Sequence, residues 1–229
     1  MFGQNPVAKI EHNTDGQQLR IVKGSPFSTI QGEGPYTGHP ASFVRLHGCN
    51  LRCTFCDTQF SDPDDPVMDI GELTMRCGDF GHQLVVITGG EPMRQNILPL
   101  CDLLHQAEFV VQIETAGTLW IEGIQNVAKI ICSPKTPVVH PMIRRHALAF
   151  KYVISTHDDH DTYVPITATQ PGTKPNRLAV SRFGAPVYLS PCDEYDEKQN
   201  EKNRKLVAQL ALKYNVIAGL QLHKFLGVD

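Results

Sequence analysis

Residues 84–92 read Leu-Val-Val-Ile-Thr-Gly-Gly-Glu-Pro, and this stretch decides the fold class. Four consecutive apolar residues, three of them β-branched, predict a strand of the fully buried parallel type. The Gly89-Gly90 pair that follows predicts a turn. Apolar residues at helical spacing across about residues 95–106 then predict a helix. Strand, turn and helix in this order form the first part of a βαβ unit.

Similar short apolar runs recur along the whole chain. They predict strands at about residues 19–22, 41–46, 109–113, 128–132, 150–154, 187–189 and 219–223, and a second long helix at 196–214. Strands separated by helices imply βαβ units and a parallel sheet. We therefore predict an α/β fold, a partial and reduced TIM-like (β/α) barrel of about six parallel strands with few helices, in one domain over residues 1–229. Residues 57–81 are polar and show little tendency to form a helix, so we expect the first helix of the barrel to be short or incomplete.

The composition excludes several classes of protein. The chain has 229 residues, of which 41% are hydrophobic and 20% charged, and its net charge is −3. A net negative charge gives no case for a nucleic-acid-binding surface, which needs clustered Lys and Arg. No apolar run reaches the ~18–20 residues that span a membrane, and the N-terminus lacks the pattern of a secretory signal. We expect a cytoplasmic protein. Residues 155–186 are polar, and their role is not predicted.

Three of the seven cysteines stand within eight residues, in the run Cys49-Asn50-Leu51-Arg52-Cys53-Thr54-Phe55-Cys56. The odd count and the missing export signal argue against a disulfide framework. Thiolates this close together can bind one metal ion or cluster. Structural zinc needs a fourth protein ligand, which no second cysteine pair supplies here, although His47 or a distant cysteine could complete such a site. A [4Fe–4S] cluster on three cysteines keeps one iron open for a ligand.

With this motif the chain resembles the radical S-adenosylmethionine superfamily, whose signature is C-x3-C-x2-C with an aromatic residue, here Phe55, before the last cysteine. The resemblance implies that Cys49, Cys53 and Cys56 hold the cluster, that S-adenosylmethionine chelates its open iron, and that reductive cleavage yields a 5′-deoxyadenosyl radical. It also implies that the Gly-Gly-Glu-Pro run contacts the methionyl amine. Glycines allow close backbone approach, and Glu91 can accept from an ammonium group.

Further stretches resemble one family within this superfamily, the 7-carboxy-7-deazaguanine synthases, and the resemblance extends from Phe27 to the C-terminus. Residues 27–34, Phe-Ser-Thr-Ile-Gln-Gly-Glu-Gly, resemble the family's substrate loop. Arg45 matches its arginine for the substrate carboxylate, a contact that suits a planar guanidinium. The ending Gln-Leu-His-Lys-Phe-Leu-Gly-Val-Asp resembles the family's Gln-Thr-His-Lys ending. This implies substrate contacts from His223 and from the terminal carboxylate of Asp229.

The resemblance implies the other site residues position by position. It implies Mg2+ at Thr58 and leaves Glu114 either a structural acid at a strand end or a contact to the cofactor. No catalytic side chain is assigned beyond the cluster and the cofactor. The implied substrate contacts are Ile30, Gln31, Gly32, Arg45, Thr88, Thr115, His223 and Asp229. The implied cofactor contacts are Phe55, Cys56, Asp57, Gly90, Glu91, Ser133, Pro134, Lys135, Ser190, Pro191, Cys192 and Asp193.

The resemblance implies a lyase that converts 6-carboxy-5,6,7,8-tetrahydropterin to 7-carboxy-7-deazaguanine with release of ammonia, in 7-deazapurine and queuosine biosynthesis. Its cofactors would be a [4Fe–4S] cluster, S-adenosylmethionine and Mg2+. A homodimer and an external electron donor of the flavodoxin or ferredoxin type are also implied. Two alternatives stay open. One is an activase that places a glycyl radical on a partner protein, against which the 27–34 loop and His223 argue. The other is a non-catalytic zinc-binding module.

Overall fold

The computed structural model describes residues 5–12, 14–136, 138–157 and 184–228. Most of the 155–186 stretch and the predicted substrate contact Asp229 therefore lie outside the described residues. The strands are β1 Gln18–Arg20, β2 Phe27–Ile30, β3 Pro40–Leu46, β4 Val67–Asp69, β5 Leu84–Gly89, β6 Val110–Thr115, β7 Lys129–Cys132, β8 Ala147–Ile154, β9 Val187–Pro191 and β10 Ile217–Ala218. The α-helices are α1 Ile70–Asp79, α2 Leu98–Gln106, α3 Pro141–His146, α4 Glu197–Tyr214 and α5 Leu222–Leu226.

One eight-stranded sheet organises the molecule, in the order β10-β9-β8-β7-β6-β5-β3-β2. Every neighbouring pair from β3 to β10 is parallel, and only β2 runs antiparallel to its neighbour β3. The prediction of a mostly parallel α/β sheet with few helices, as in a partial barrel, is confirmed. None of the helices in the described ranges is both long enough and apolar enough to cross a membrane.

The two faces of the sheet have different surroundings because side chains alternate along each strand. On the outer face, Val85 and Ile87 of β5 belong to the main core together with Leu100 and Leu104 of α2. On the inner face, Val86 belongs to a small separate apolar cluster near the amino ends of the strands. Polar residues follow on that face toward the carboxyl ends. The helices therefore cover one face, and the other is left for a site.

The expectation of little helix in residues 57–81 is wrong, because α1 forms there. Asp69 caps this helix: its Oδ1 accepts from the Gly71 amide at 2.7 Å and from the Glu72 amide at 3.4 Å. Leu73 and Cys77 are fully buried in the core, so tertiary packing adds to the cap. A short segment with few apolar residues can be helical when cap and packing act together.

The prediction of a last strand at 219–223 is also wrong, and the predicted strand at 19–22 is placed differently. The last strand, β10, has only two residues, and 222–226 form the helix α5. Leu222, Phe225 and Leu226 recur at helical spacing, and Gly227 ends the helix in a left-handed conformation, which favours glycine. β1 pairs with β4 in a separate two-stranded sheet.

Gly89 has a conformation and surroundings that only glycine fits, and this gives the first prediction. Its φ is +139°, and a Cβ there would lie 2.2 Å from the carbonyl oxygen of Leu46. Gly81 also has a positive φ, +73°, but a Cβ there would meet nothing within 4 Å. Gly81→Ala should lower the free energy of unfolding by about 1–2 kcal/mol through backbone strain alone. Gly89→Ala should lower it further, since β3 and β5 must separate. Urea unfolding of both variants measures the difference, and equal losses would contradict the prediction.

Candidate active site

A cavity of about 240 Å3 opens where the parallel strands end. Carboxyl ends of parallel strands meet at one edge of a sheet, which is where α/β proteins bind ligands. Loops after β3, β5, β6, β7 and β9 all contribute to its wall. The predicted site residues that line it are Cys49, Cys53, Phe55, Cys56, Asp57, Thr58, Thr88, Gly90, Thr115, Ser133, Lys135, Pro191, Cys192 and Asp193.

The remaining predicted residues within the described part of the chain stand around this cavity rather than in its wall. Gln31 and Gly32 follow Ile30, the last residue of β2, and His223 packs on Gly32. Arg45 pairs in register with Thr88 on the inner face of the sheet, and its guanidinium carbon lies 5.2 Å from the centroid of the Phe27 ring. The others outside the wall are Pro134, Ser190 and Glu91.

The cysteine loop is anchored at its start and enclosed by apolar neighbours. The Gly48 amide donates to the Phe60 carbonyl at 2.7 Å, and Cys49 packs with Leu51 and Phe60 in a small buried cluster. Burial raises the pKa of the Cys49 thiol to about 12 and also raises that of Cys56. Both thiols are therefore protonated at neutral pH in the absence of metal. When these two cysteines bind a metal or cluster, they must release their protons.

The three cysteines share the cavity, but they do not form a site for one ion. Across the part of the chain that the structure describes, no three His, Cys, Asp or Glu side chains are grouped to hold a single metal ion. Structural zinc needs four ligands converging on one point. A [4Fe–4S] cluster instead spreads its cysteines over separate irons. The donor set, three soft thiols around one cavity, fits the cluster better than zinc.

Gly90 brings the chain after β5 into direct contact with the cysteine loop. A Cβ on Gly90 would lie 2.1 Å from the Gly48 carbonyl oxygen and 2.8 Å from Cys49 Cβ. The Glu91 amide donates to the same Gly48 carbonyl at 3.0 Å. Only glycine permits this approach. A ligand beside the cluster would therefore meet bare backbone here.

The Glu91 side chain, for which the resemblance implies an ammonium contact, accepts from protein donors in this structure. It is 1% exposed and accepts from the Thr115 hydroxyl and the Ala116 amide, each at 2.8 Å, and from the Met93 amide at 3.1 Å. Burial raises the pKa of Glu91 despite these donors. The side chain braces the end of β6 against the loop after β5, and Gly90 rather than Glu91 faces the cavity.

A buried cation and two carboxylates lie on the inner face, and sequence reasoning missed two of the three. Lys151 of β8 donates to Glu33 Oε2 and to Glu114 Oε2, each at 2.6 Å. Gln31 donates to the other oxygen of Glu114 at 3.1 Å, and the Glu33 amide donates to Gln31 Oε1 at 3.1 Å. The sequence did carry a signal for Lys151, because it is the only charged residue in the apolar run Ala147–Ile154. Arg45 was noticed for the same reason, as a charged residue in an apolar strand.

The ion pairs decide the charge state of this group. Burial opposes the charged form of Lys151, but Glu114 and Glu33 outweigh it and raise its pKa. Burial likewise disfavours ionised Glu33, but Lys151 holds the pKa of that carboxyl below its usual value. Glu33 and Lys151 are both charged at neutral pH. A charged carboxylate is purely an acceptor, so it selects ligands that carry N–H or O–H donors.

The C-terminal residues dock over this group. The Leu222 amide donates to the Gly32 carbonyl at 3.0 Å, and a Cβ on Gly32 would overlap the His223 ring. Burial lowers the pKa of His223, so a neutral imidazole faces the 27–34 loop. Lys224 Nζ lies 3.3 Å from Asp57 Oδ2 and 2.8 Å from Asp193 Oδ2. Although burial opposes it, the bond to Asp193 raises the pKa of Lys224.

Polar groups at the ends of β7 and β9 complete the surroundings. Lys135 Nζ donates to the Ser133 carbonyl at 2.9 Å and lies 5.9 Å from the centroid of the Phe55 ring. Burial lowers the pKa of Lys135, while the nearby Cys53 opposes that shift. The Ser190 hydroxyl is buried and has no hydrogen-bond partner among the described residues. With the thiols and the Gly90 backbone, these groups fit a cluster with a polar organic ligand beside it.

Comparison with known proteins points to one family. A model of the Radical SAM superfamily matches residues 43–138. A 7-carboxy-7-deazaguanine synthase from Rickettsia prowazekii is 38% identical over 242 residues, covering 100% of this chain and 96% of that protein. Another, from Rhodospirillum rubrum, is 37% identical over 237 residues and covers 100% of both. The crystal structure of QueE from Escherichia coli matches with a TM-score of 0.65 at 25% identity, over 93% of this chain and 100% of that one. These similarities do not favour the activase or the zinc module.

The buried ion pairs lead to a prediction about Lys151→Met. This change leaves Glu33 and Glu114 buried without their cation, which should lower the free energy of unfolding by about 3–5 kcal/mol near neutral pH. In the wild type the lowered pKa of Glu33 contributes stability that is present at neutral pH and lost as the pH falls through the carboxyl range. In the variant, burial acts on Glu33 without its cation and raises the pKa of that carboxyl, so protonation relieves the buried charge.

The loss caused by Lys151→Met should therefore shrink between about pH 7 and about pH 4. Urea unfolding at both pH values measures this. Lys129→Met, on an exposed position of neighbouring β7, is the matched control and should cost little at either pH. A loss of the same size at both pH values would show that the carboxylates do not depend on Lys151.

Proposed function

This chain belongs to the 7-carboxy-7-deazaguanine synthase family of radical S-adenosylmethionine enzymes, and on that premise we propose which of its residues bind the cluster, the cofactor and the substrate. The enzyme is a lyase of 7-deazapurine and queuosine biosynthesis. It converts 6-carboxy-5,6,7,8-tetrahydropterin to 7-carboxy-7-deazaguanine with release of ammonia. Its cofactors are a [4Fe–4S] cluster, S-adenosylmethionine and Mg2+. When bound, the cluster and S-adenosylmethionine would supply abstraction of a hydrogen atom from the substrate, and Mg2+ would supply a hard cation for substrate oxygens.

One observation carries the assignment of roles: the cysteine loop, the Gly90 backbone and the Lys151 ion pairs all converge on the carboxyl end of the sheet. Cys49, Cys53 and Cys56 hold the cluster from the loop after β3. The protein's own task is then to bring a small molecule to that loop in one orientation. Correct placement of reacting groups supplies much of the rate enhancement in any enzyme.

S-adenosylmethionine binds along the ends of β5, β7 and β9. The Gly90 carbonyl faces its amino-acid part, while the Gly90 amide donates to the Leu46 carbonyl at 3.1 Å. The Glu91 side chain supports this part indirectly by bracing Ala116. Its ribose and carboxylate have hydrogen-bonding partners in the Ser133 hydroxyl and in Lys135, which both line the cavity. The remaining contacts that we propose for this ligand are Phe55, Cys56, Asp57, Pro134, Ser190, Pro191, Cys192 and Asp193.

The pterin binds on the inner face, between the ion pairs and the cysteine loop. Arg45 takes its carboxylate, since a guanidinium can donate two parallel hydrogen bonds to it. The ring edge carries amino and N–H donors, and the carboxylates Glu33 and Glu114 together with Gln31 are acceptors for them. Lys151 keeps Glu33 charged and holds both carboxylates in place through its hydrogen bonds. We propose further substrate contacts from Ile30, Gly32, Thr88, Thr115, His223 and Asp229.

Mg2+ binds at Thr58, beside the cluster loop. Thr58 Oγ1 donates to Asp57 Oδ1 at 3.1 Å and lines the cavity. Mg2+ takes oxygen ligands in an octahedral arrangement and usually keeps only one or two from protein. One hydroxyl, with substrate oxygens and water, satisfies that demand.

The organisation of the protein around this site remains a proposal. We propose a single domain over residues 1–229 that acts as a homodimer in the cytoplasm. The external donor that delivers electrons to the cluster is of the flavodoxin or ferredoxin type. The family assignment supports an electron donor and a small-molecule substrate, and the dimer and the type of donor rest on the resemblance alone.

Replacement of one cluster ligand tests the proposed function. Anaerobically reconstituted enzyme is incubated with S-adenosylmethionine, a reductant, Mg2+ and 6-carboxytetrahydropterin, and products are read by mass spectrometry. The wild type should form 7-carboxy-7-deazaguanine, and Cys53→Ala should form none and lose bound iron. Cys77→Ala removes a thiol buried in the core far from the cavity and should keep both product and iron. Full activity of Cys53→Ala would refute the ligand assignment.

Arg45→Gln tests the carboxylate contact separately from the cluster. Loss of a charge-assisted pair costs about 1.5–3 kcal/mol, so kcat/KM for the pterin should fall by about tenfold or more. The electron paramagnetic resonance change on adding S-adenosylmethionine should stay as in the wild type, because Arg45 does not line the cavity at the cluster. Arg20→Gln, at a partly buried arginine in the separate two-stranded sheet, is the control and should keep the wild-type kcat/KM. An unchanged value for Arg45→Gln would place the carboxylate elsewhere.

A further inference from the structure

Residues 5–11, which we call the N-terminal strap, run along the cysteine loop. Val7 forms a parallel bridge with Cys49, and the Ala8 amide donates to the Cys49 carbonyl at 2.7 Å. Farther on, the Glu11 amide donates to the Arg94 carbonyl at 2.7 Å. The resemblance that identified the other site residues begins only at Phe27. The strap was therefore given no role from sequence, yet it contacts the first cluster ligand directly.

Asn5 connects the strap to the far end of the same loop. Its side-chain nitrogen donates to the Thr58 carbonyl at 2.8 Å and approaches Cys56 Sγ at 3.9 Å. Its side-chain oxygen accepts from the Phe60 amide and from the Ser61 hydroxyl, each at 3.1 Å. Asn5 is 8% exposed, and all four hydrogen-bonding positions of its carboxamide are occupied by the loop. One side chain thus spans residues 56–61.

A buried arginine fixes the other end of the strap. Arg94 is 1% exposed; it donates to the Lys9 carbonyl at 2.6 Å and to the His47 carbonyl at 2.9 Å, and pairs with Glu11 at 3.1 Å. His47 lies two residues before Cys49. The strap is therefore held on both sides of the cysteine loop, by Arg94 before it and by Asn5 after it.

We propose that Asn5 is a positioning residue for the cluster, which holds the loop after Cys56 in place and donates an N–H···S hydrogen bond to the Cys56 sulfur. The inference deepens the proposed function, since it rests on Cys56 being a cluster ligand. As a free thiol, Cys56 donates to the Thr58 carbonyl at 3.4 Å. Ligation removes that proton, so the sulfur becomes an acceptor only. The second amide hydrogen of Asn5 is then its donor.

Such a bond has a definite effect on electron transfer. Hydrogen bonds to cluster sulfurs contribute to the reduction potential, because they favour the more negative, reduced form. Loss of the Asn5 donor should lower the potential. Simple loosening of the loop would admit water, whose dipoles also favour the reduced form, and would raise the potential. The sign of the shift separates a lost donor from a loosened loop.

The test is a potentiometric titration of the reconstituted cluster, followed by electron paramagnetic resonance without S-adenosylmethionine. Asn5→Ala and Asn5→Leu remove the carboxamide without adding charge, and Leu keeps most of the volume. Ser61→Ala is the matched control, because it removes one partner of the Asn5 oxygen and leaves both N–H donors. Both Asn5 variants should have a lower midpoint potential than the wild type, and Ser61→Ala should not differ from it.

The other outcomes also decide the matter. Iron lost from both folded Asn5 variants, but kept by Ser61→Ala, would support the proposed hold on the loop. Full iron content with an unchanged potential in the Asn5 variants would overturn the inference, and a raised potential would overturn its N–H···S hydrogen bond. Both results would leave the proposed function intact. A wild-type protein that assembles no [4Fe–4S] cluster would overturn the proposed function itself, and the inference with it.

Discussion

The crossing of two backbone segments at the ends of β3 and β5 is the constraint on which the site depends. These strands are parallel neighbours with six residue pairs in register, so they deliver their loops to the same place. The loop after β3 carries the cysteines, and the loop after β5 passes so close that a side chain at residue 90 would overlap the Gly48 carbonyl. The separation of these two loops is therefore fixed by main-chain contact. Side chains such as Glu91 then secure the crossing by accepting from Thr115 and Ala116.

The inner-face charges perform a different task. A cation buried between two carboxylates gains little net stability, because desolvation of three charges offsets their attraction. What Lys151 supplies is a defined state: Glu33 is charged, and both carboxylates are hydrogen-bonded to one ammonium group. An apolar residue at 151 would let Glu33 take up a proton and become a donor as well as an acceptor. Recognition of a ring edge that carries several N–H donors needs acceptors that stay deprotonated, because a protonated carboxyl group is also a donor.

The strongest local signals in the sequence predicted most of the sheet. Residues 84–87 became β5, and the helical spacing of 95–106 became α2, because long apolar periodicity is the largest contributor to burial. α1 was missed because its stability comes from the Asp69 cap and from packing of Leu73, neither of which stands out in a polar stretch. The final strand was misplaced because a run of six residues from 217 fits either period. The cysteines and glycines were found from spacing. Glu33 and Asn5 act through partners far along the chain, so no local pattern marks them, and Lys151 was marked only by its place in an apolar strand.

The open sheet is bridged by its own tail. β10 lies at one edge and β2 at the other, and α5, a few residues after β10, lies against β2. That helix has five residues and buries none of them completely. Its attachment, one backbone bond to Gly32 and the ion pairs of Lys224, can break while every strand stays paired. Hydrogen exchange would see two tiers of protection, a slow one in the sheet and a fast one in the tail. The tail can therefore detach from β2 by breaking the contacts of one turn of helix, at a small fraction of the free energy that unfolding of the sheet demands.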